Sequence, residues 1–108
     1  MDIEKNERIF KLYEIYQGLL TTKQRAVMDM YLVYDNTLVE IAEENKVSRQ
    51  AIHNIITDST TQLYRYEMVL GLEKRNAELS DVADELNMCG MQKYAKRIAN
   101  IVKNNKKT

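Results

Sequence analysis

The 108 residues contain no proline and no tryptophan, three glycines, one cysteine, one histidine and one phenylalanine, and the formal net charge is zero. Each scarcity excludes something. Without proline and with isolated glycines, the frequent tight turns of a strand-rich domain are missing, and no glycine-rich loop exists to cradle a phosphate. Cys89 has no internal partner for a disulfide, which suits a reducing compartment. One cysteine and one histidine, thirty-six positions apart, make no tetrahedral metal set, so neither a metal nor another cofactor is expected. Sixteen cations balance sixteen anions, so no overall basic field marks the chain for nucleic acid and any electrostatic signal is local. No window holds eighteen apolar residues, and the opening MDIEKNERIF mixes charges. The expectation is a cytoplasmic protein with no membrane insertion.

What is present is helical periodicity. Hydrophobic residues make up 44% and charged residues 30% of the chain, enough to bury a core. Ile3, Ile9, Phe10, Leu12, Tyr13, Ile15, Tyr16, Leu19 and Leu20 draw a broad stripe on a helix of about residues 3 to 19. Thr21 followed by Gln24 forms a capping-box signature, and Ala26, Val27, Met30, Tyr31 and Tyr34 continue at helical spacing to the turn dipeptide Asp35-Asn36. Thr37 and Glu40 repeat the capping box before a short helix at about 38 to 44. Ser48 then reads as an N-cap, with Val47 stapling onto Ile52. From there Ile52, Ile56, Ser59, Leu63, Tyr66 and Leu70 mark one long helix. Its apolar edge, with help from the N-terminal helix, is expected to pack a second copy in a homodimer.

The segment TLVEIAEENKVSRQAIHNII, residues 37–56, has helix-turn-helix spacing: Ala42 small at the crossing, Val47 plugging the angle, and Ile41, Ile52 and Ile55 or Ile56 filling the core. The predicted fold is all-α, a helical bundle containing a helix-turn-helix with a long recognition helix. In a DNA reader of this kind the exposed start of the second helix meets the major groove, here Ser48, Arg49, Gln50, His53, Asn54 and Thr57. Arginine suits guanine, and glutamine or asparagine suits adenine. The same residue types also populate ordinary solvated helix faces.

Charge opposes strong DNA binding. Residues 21–47 carry Lys23, Arg25 and Lys46 against Asp29, Asp35, Glu40, Glu43 and Glu44, a net of minus two where phosphates would lie. Residues 67–91 hold six acids and two bases, whereas 92–108 hold Lys93, Lys96, Arg97, Lys103, Lys106 and Lys107 with no acid. That basic end is a phosphate-binding strip for DNA or RNA, with Tyr94 stacking on a base, or cations that suit a helix C-terminus. Ala77, Leu79, Val82, Ala83 and Leu86 line one more helix and Met91, Tyr94, Ala95, Ile98, Ile101 and Val102 another. DVADELNMC echoes EIAEENKVS at an offset of 41, a faint second helix-turn-helix. Two parts result: a helix-turn-helix domain with its N-terminal helices over 1–72, and a C-terminal helical extension with a basic tail, packed on it, over 73–108. Asp81, Asp84 and Glu85 crowd one acidic helix, but solvation explains them better than acid-base catalysis, so no enzyme is expected.

LTTKQR, LVEIAEENKVSRQAIHNII and the following LYRYEMVL resemble the YlxM-type helix-turn-helix proteins of low-GC Gram-positive bacteria and mollicutes, over about residues 1 to 72. That family is similar to region four of sigma factors, and its gene lies beside that of the Ffh GTPase of the signal recognition particle. The resemblance implies an all-helical regulatory protein and signal recognition particle components as partners. The family's motif falls on Ala42, Val47, Ser48, Arg49, Gln50 and Ala51. This chain departs from it at His53, where an aromatic is usual, and at Asn45-Lys46, where a glycine-containing turn is common, so a left-handed residue, which Asn tolerates, is expected there. Two function classes stay open: a dimeric helix-turn-helix regulator binding DNA or RNA, and a protein-interaction module that docks on the targeting machinery without binding DNA.

Overall fold

The computed structural model describes residues 7–104; Ile3, Lys106 and Lys107 lie outside them. Six α-helices follow one another: α1 Glu7–Tyr16, α2 Thr22–Met28, α3 Leu38–Asn45, α4 Arg49–Leu70, α5 Leu72–Met88 and α6 Gln92–Asn104. A 3₁₀ turn, Gln17–Leu19, ends the first helix, and a π turn, Asp29–Val33, extends the second. Among the described residues there is no strand.

Both expected capping boxes form. Thr21 Oγ1 accepts from the Gln24 amide at 3.1 Å while Gln24 Oε1 accepts from the Thr21 amide at 3.0 Å. Thr37 and Glu40 repeat the exchange at 3.1 and 2.8 Å. Each box satisfies two amide donors that a helix start leaves without partners, which is why these boundaries could be read locally.

Helix α4 is the spine, with α1, α2 and α3 packed around it. Leu12, Val27, Met28, Ile41, Ile52, Ile56 and Leu63 lose essentially all solvent contact in the shared core. This corrects the dimer face read from periodicity. Ile52, Ile56 and Leu63 are fully buried within the protomer, Tyr66 is half-buried and only Leu70 at the end is open. The buried stripe therefore has no edge left for a second copy, and Ile9, Leu12, Tyr13, Ile15 and Tyr16 of α1 are likewise spent on the internal core.

The second helix also packs differently from its spacing. Met28 is buried, Met30 is half-buried and Tyr34 is an exposed ring. The π turn, which follows Met28, accounts for Tyr34: the Tyr34 amide donates to the Asp29 carbonyl five residues back, so the added residue rotates what comes after it out of the α-helical frame. Tyr13 holds the beginning of that turn by donating to the Asp29 carboxylate, with the Arg25 carbonyl 3.1 Å away. Burial, then the bond to Asp29, raises the Tyr13 phenol above its ordinary range.

Between α4 and α5 stands one residue, Gly71, at φ +61°, a backbone conformation that costs an L side chain roughly 1–2 kcal/mol. Glu67, one turn earlier, accepts from the Tyr16 hydroxyl at 2.6 Å and from the Glu73 and Lys74 amides at 3.0 and 3.3 Å. The Tyr16 hydroxyl in turn accepts from the Leu72 amide at 3.0 Å. A carboxylate and a phenol thus cap the start of α5. Arg8 of α1 adds a 3.4 Å contact to Glu73 and lies over the Tyr64 ring. Helices α5 and α6 pack on each other as a hairpin, and α5 also meets α1. The molecule is elongated, 55 × 26 × 24 Å.

Two outcomes test this fold. Ala42, buried at the α3 crossing, leaves no room for a larger side chain. Ala42→Leu should cost roughly 1–3 kcal/mol by overpacking, read as a lower denaturation midpoint. The junction should also show in the pH profile. Burial alone would raise Glu67, but the bonds from Tyr16, Glu73 and Lys74 outweigh it and hold the carboxyl below its ordinary 4.5. A depressed acid contributes stability above that value, lost as pH falls through the folded-state pKa. Burial and then Glu67 push Tyr16 up to about 12, so its contribution is complete below pH 10 and lost as pH rises toward 12. Thermal melts should give a plateau with losses on both sides, and Glu67→Gln should flatten the acid limb. An unchanged acid limb in that variant would contradict the assignment.

Candidate nucleic-acid interface

Helix α3 ends in a Schellman pair: the Lys46 amide donates to Glu43 O at 3.2 Å and the Val47 amide to Ala42 O at 3.1 Å. Lys46, not Asn45, takes the left-handed conformation, at φ +56°. Asn45 stays helical because its amide side chain donates to Ile41 O at 2.7 Å, which passes the turn to the next residue. Val47 remains 37% exposed, so it rims the angle between the helices where spacing had made it a plug. Ser48 then caps α4, its Oγ accepting from the Ala51 amide at 3.0 Å.

This geometry fixes what the start of α4 presents. Ser48, Arg49, Gln50 and Asn54 are exposed, while His53 and Thr57 are half-buried. Gln50 Nε2 donates to Asn54 Oδ1 at 3.0 Å, a bond that does not use Gln50 Oε1 or the Asn54 amide nitrogen. His53 Nδ1 and Thr57 Oγ1 are shielded from solvent and make no hydrogen bond. Four of the six candidate residues therefore form an open polar face, and the other two sit on its flank.

The basic residues do not join that face within one protomer. Lys93, Lys96, Arg97 and Lys103 are exposed on α6, which packs on α5. The hairpin leaves from the C-terminal end of α4, whereas Arg49 and Gln50 stand at its N-terminal end, about 30 Å away along 22 residues of helix. The segment that leads into α4 exposes instead the acids Glu40, Glu43 and Glu44 and the apolar residues Val33, Tyr34 and Val39. Spacing within α2 pointed Tyr34 inward, and only the π turn reveals it as surface.

The echo of the motif in the last third does not produce a second helix-turn-helix in the same register. Helix α5 also ends in a Schellman pair, Gly90 N to Asn87 O at 3.1 Å and Met91 N to Leu86 O at 2.8 Å. That pairs Gly90 with Lys46, three residues out of step with the sequence repeat, and puts Leu86 where the first motif has Ala42. The close approach is made by Ala83 and Ala95 instead, both buried.

Comparison with known proteins fits this architecture. A family model for helix-turn-helix proteins, YlxM/p13 like, matches residues 3–104. A UPF0122 protein of Pediococcus pentosaceus is 42% identical over 98 residues, covering 87% of this chain and 83% of its own. The UPF0122 protein YlxM of Bacillus subtilis is 41% identical over 86 residues, 80% of this chain and 78% of that one. One from Listeria welshimeri is 43% identical over 83 residues, 77% and 76% of the two chains. The matched region extends through α6, beyond the residues 1 to 72 that carried the resemblance in the sequence.

The left-handed turn residue can be tested directly. Lys46→Gly should relieve a strain of roughly 1 kcal/mol and raise the urea midpoint, because glycine reaches φ +56° without a Cβ penalty. A lower midpoint would mean that the lysine side chain contributes more than its backbone costs.

Proposed function

The chain belongs to the YlxM/p13-like helix-turn-helix family, and from that premise we propose that it is a small regulatory protein of the cytoplasm that reads duplex DNA through the start of α4. The observation that carries this reading is the open polar face of Ser48, Arg49, Gln50 and Asn54, with the two amides coupled at 3.0 Å. An amide held this way can accept from adenine N6 and donate to N7, and the guanidinium can span guanine O6 and N7. The N-terminal pole of α4 favours a nearby phosphate, and Lys46 in the turn supplies a second positive group.

A second reading has its own observation. The acids of α3 together with exposed Val33, Tyr34 and Val39 make this end of the molecule a surface that a protein would match better than a phosphate backbone does. On that reading the scaffold docks on a protein, and the family's link to the signal recognition particle points to a component of that machinery.

Fluorescence anisotropy with mixed-sequence duplex DNA and with structured RNA, at two salt concentrations, separates the cases. Arg49→Ala with Gln50→Ala should remove roughly 1–3 kcal/mol per bidentate pair and flatten sequence preference. Lys46→Ala should weaken all duplexes alike and shallow the salt slope by about 0.9. Preferential binding of RNA would redirect the readout to that polymer. If the wild type binds neither, the regulator reading fails and the protein-docking surface stands.

A further inference from the structure

The α5–α6 hairpin has one face that the other described residues leave uncovered. Helical spacing places Leu79, Val82 and Leu86 along one edge of α5 and Tyr94, Ile98 and Ile101 along the adjoining edge of α6. Val82, Tyr94 and Ile101 are 43%, 50% and 54% exposed, and the other three are half-buried. Helix α1 approaches α5 from the other side, where Lys11, Glu14 and Ile15 face Glu73, Asn76 and Ala77 across a cavity of about 520 Å³. An apolar stripe of this kind on a charged two-helix hairpin is half of a four-helix bundle.

Charge identifies the other half. Helix α5 carries Glu73, Glu78, Asp81, Asp84 and Glu85 against Lys74 and Arg75, while α6 carries Lys93, Lys96, Arg97 and Lys103 and no acid. Glu78 and Glu85 border the stripe on the α5 side, and Lys93 and Arg97 border it on the α6 side. A surface with an acidic margin, an apolar centre and a basic margin complements itself under a two-fold rotation. We propose that this face is the homodimer interface, with α5 of one protomer lying antiparallel against α6 of a second copy.

Two-fold axes lying in the interface give two arrangements. An axis across the helices stacks α5 on α5, acid upon acid, and α6 on α6, base upon base. An axis along the helices sets each acidic helix on the partner's basic helix. Counting outward from the turn at Gly90, Glu85 then falls level with the interval between the partner's Lys93 and the partner's Arg97. The second arrangement satisfies the charges and brings both hairpin turns to the same end. Cys89, exposed at the turn, reports on it. The interface is independent of the readout at α4 and is tested without nucleic acid.

Light scattering of the 108-residue protein at tens of micromolar should give twice the protomer mass. Tyr94→Glu with Ile101→Glu, both at exposed positions, should give the protomer mass with unchanged helical circular dichroism. Glu85→Arg should weaken association by about tenfold or more, and adding Arg97→Glu should restore it. A short bis-maleimide should link two wild-type chains through Cys89. A protomer mass for the wild type, or a dimer that survives the Tyr94 and Ile101 changes, overturns the interface. Failure of the restoring pair or of the cross-link overturns the α5-on-α6 arrangement.

Discussion

Helix α4 ends at Leu70 and α5 starts at Leu72, so one left-handed glycine must redirect the chain, and by itself a glycine allows many directions. The Glu67 carboxylate selects one. It accepts from the hydroxyl of Tyr16 on α1 and from the first free amides of α5, so three helices converge on one side chain. The same carboxylate would be costly to bury without those donors, since a charge taken from water has to be repaid in hydrogen bonds. Its depressed pKa records that the donors prevail. Everything beyond Gly71 inherits its direction from this junction.

The consequence is a division of labour between two kinds of helix face. Around α4, α1 to α3 close on Ile52, Ile56, Ser59 and Leu63 so fully that the helix keeps its open apolar side chains for its last turn, at Met68, Val69 and Leu70. Ser59, the polar member of that stripe, is tolerated because its hydroxyl donates to the Ile55 carbonyl at 2.7 Å. Beyond the junction, α6 meets mainly α5, and two helices cannot cover each other's apolar edges. The uncovered surface is therefore displaced from the middle of the chain, where periodicity located it, to the C-terminal hairpin.

That displacement shows what sequence can and cannot carry here. Signals confined to four residues were legible: Thr21 with Gln24, Thr37 with Glu40 and Ser48 before α4 all act where they stand. The long stripe of α4 was legible as buried, but not what buries it, because a period names a face and leaves its neighbour unnamed. Tyr16 and Glu67 stand 51 positions apart with no shared pattern, so their bond could only come from the fold. One local reading failed for a local reason. The π turn rotates Tyr34 outward, whereas the left-handed residue expected at Asn45-Lys46 is found there, at Lys46. For the candidate site, residue types and exposure at Ser48, Arg49, Gln50 and Asn54 followed from spacing, whereas the flanking burial of His53 and Thr57 did not.

The separation of charge along the chain bears on how a reader with so few cations could work. Residues 21–47 sum to minus two, so a single protomer gains little from phosphate neutralisation, and the salt-dependent term that usually dominates DNA affinity is small. Two protomers joined through their hairpins as proposed would carry two copies of the α4 face on one body. The second face would then bind duplex at an effective concentration set by geometry instead of by diffusion. Weak phosphate anchoring would become an advantage under that arrangement, because nonspecific duplex would contribute little and discrimination would rest on the proposed base contacts of Arg49, Gln50 and Asn54 made twice. The acids of α3 beside that face would repel any backbone not correctly docked, which is specificity obtained by opposing the wrong complex. The same acids would favour a protein partner with a basic surface, so the balance between the two readings turns on the charge of α3 more than on the helix that carries the motif.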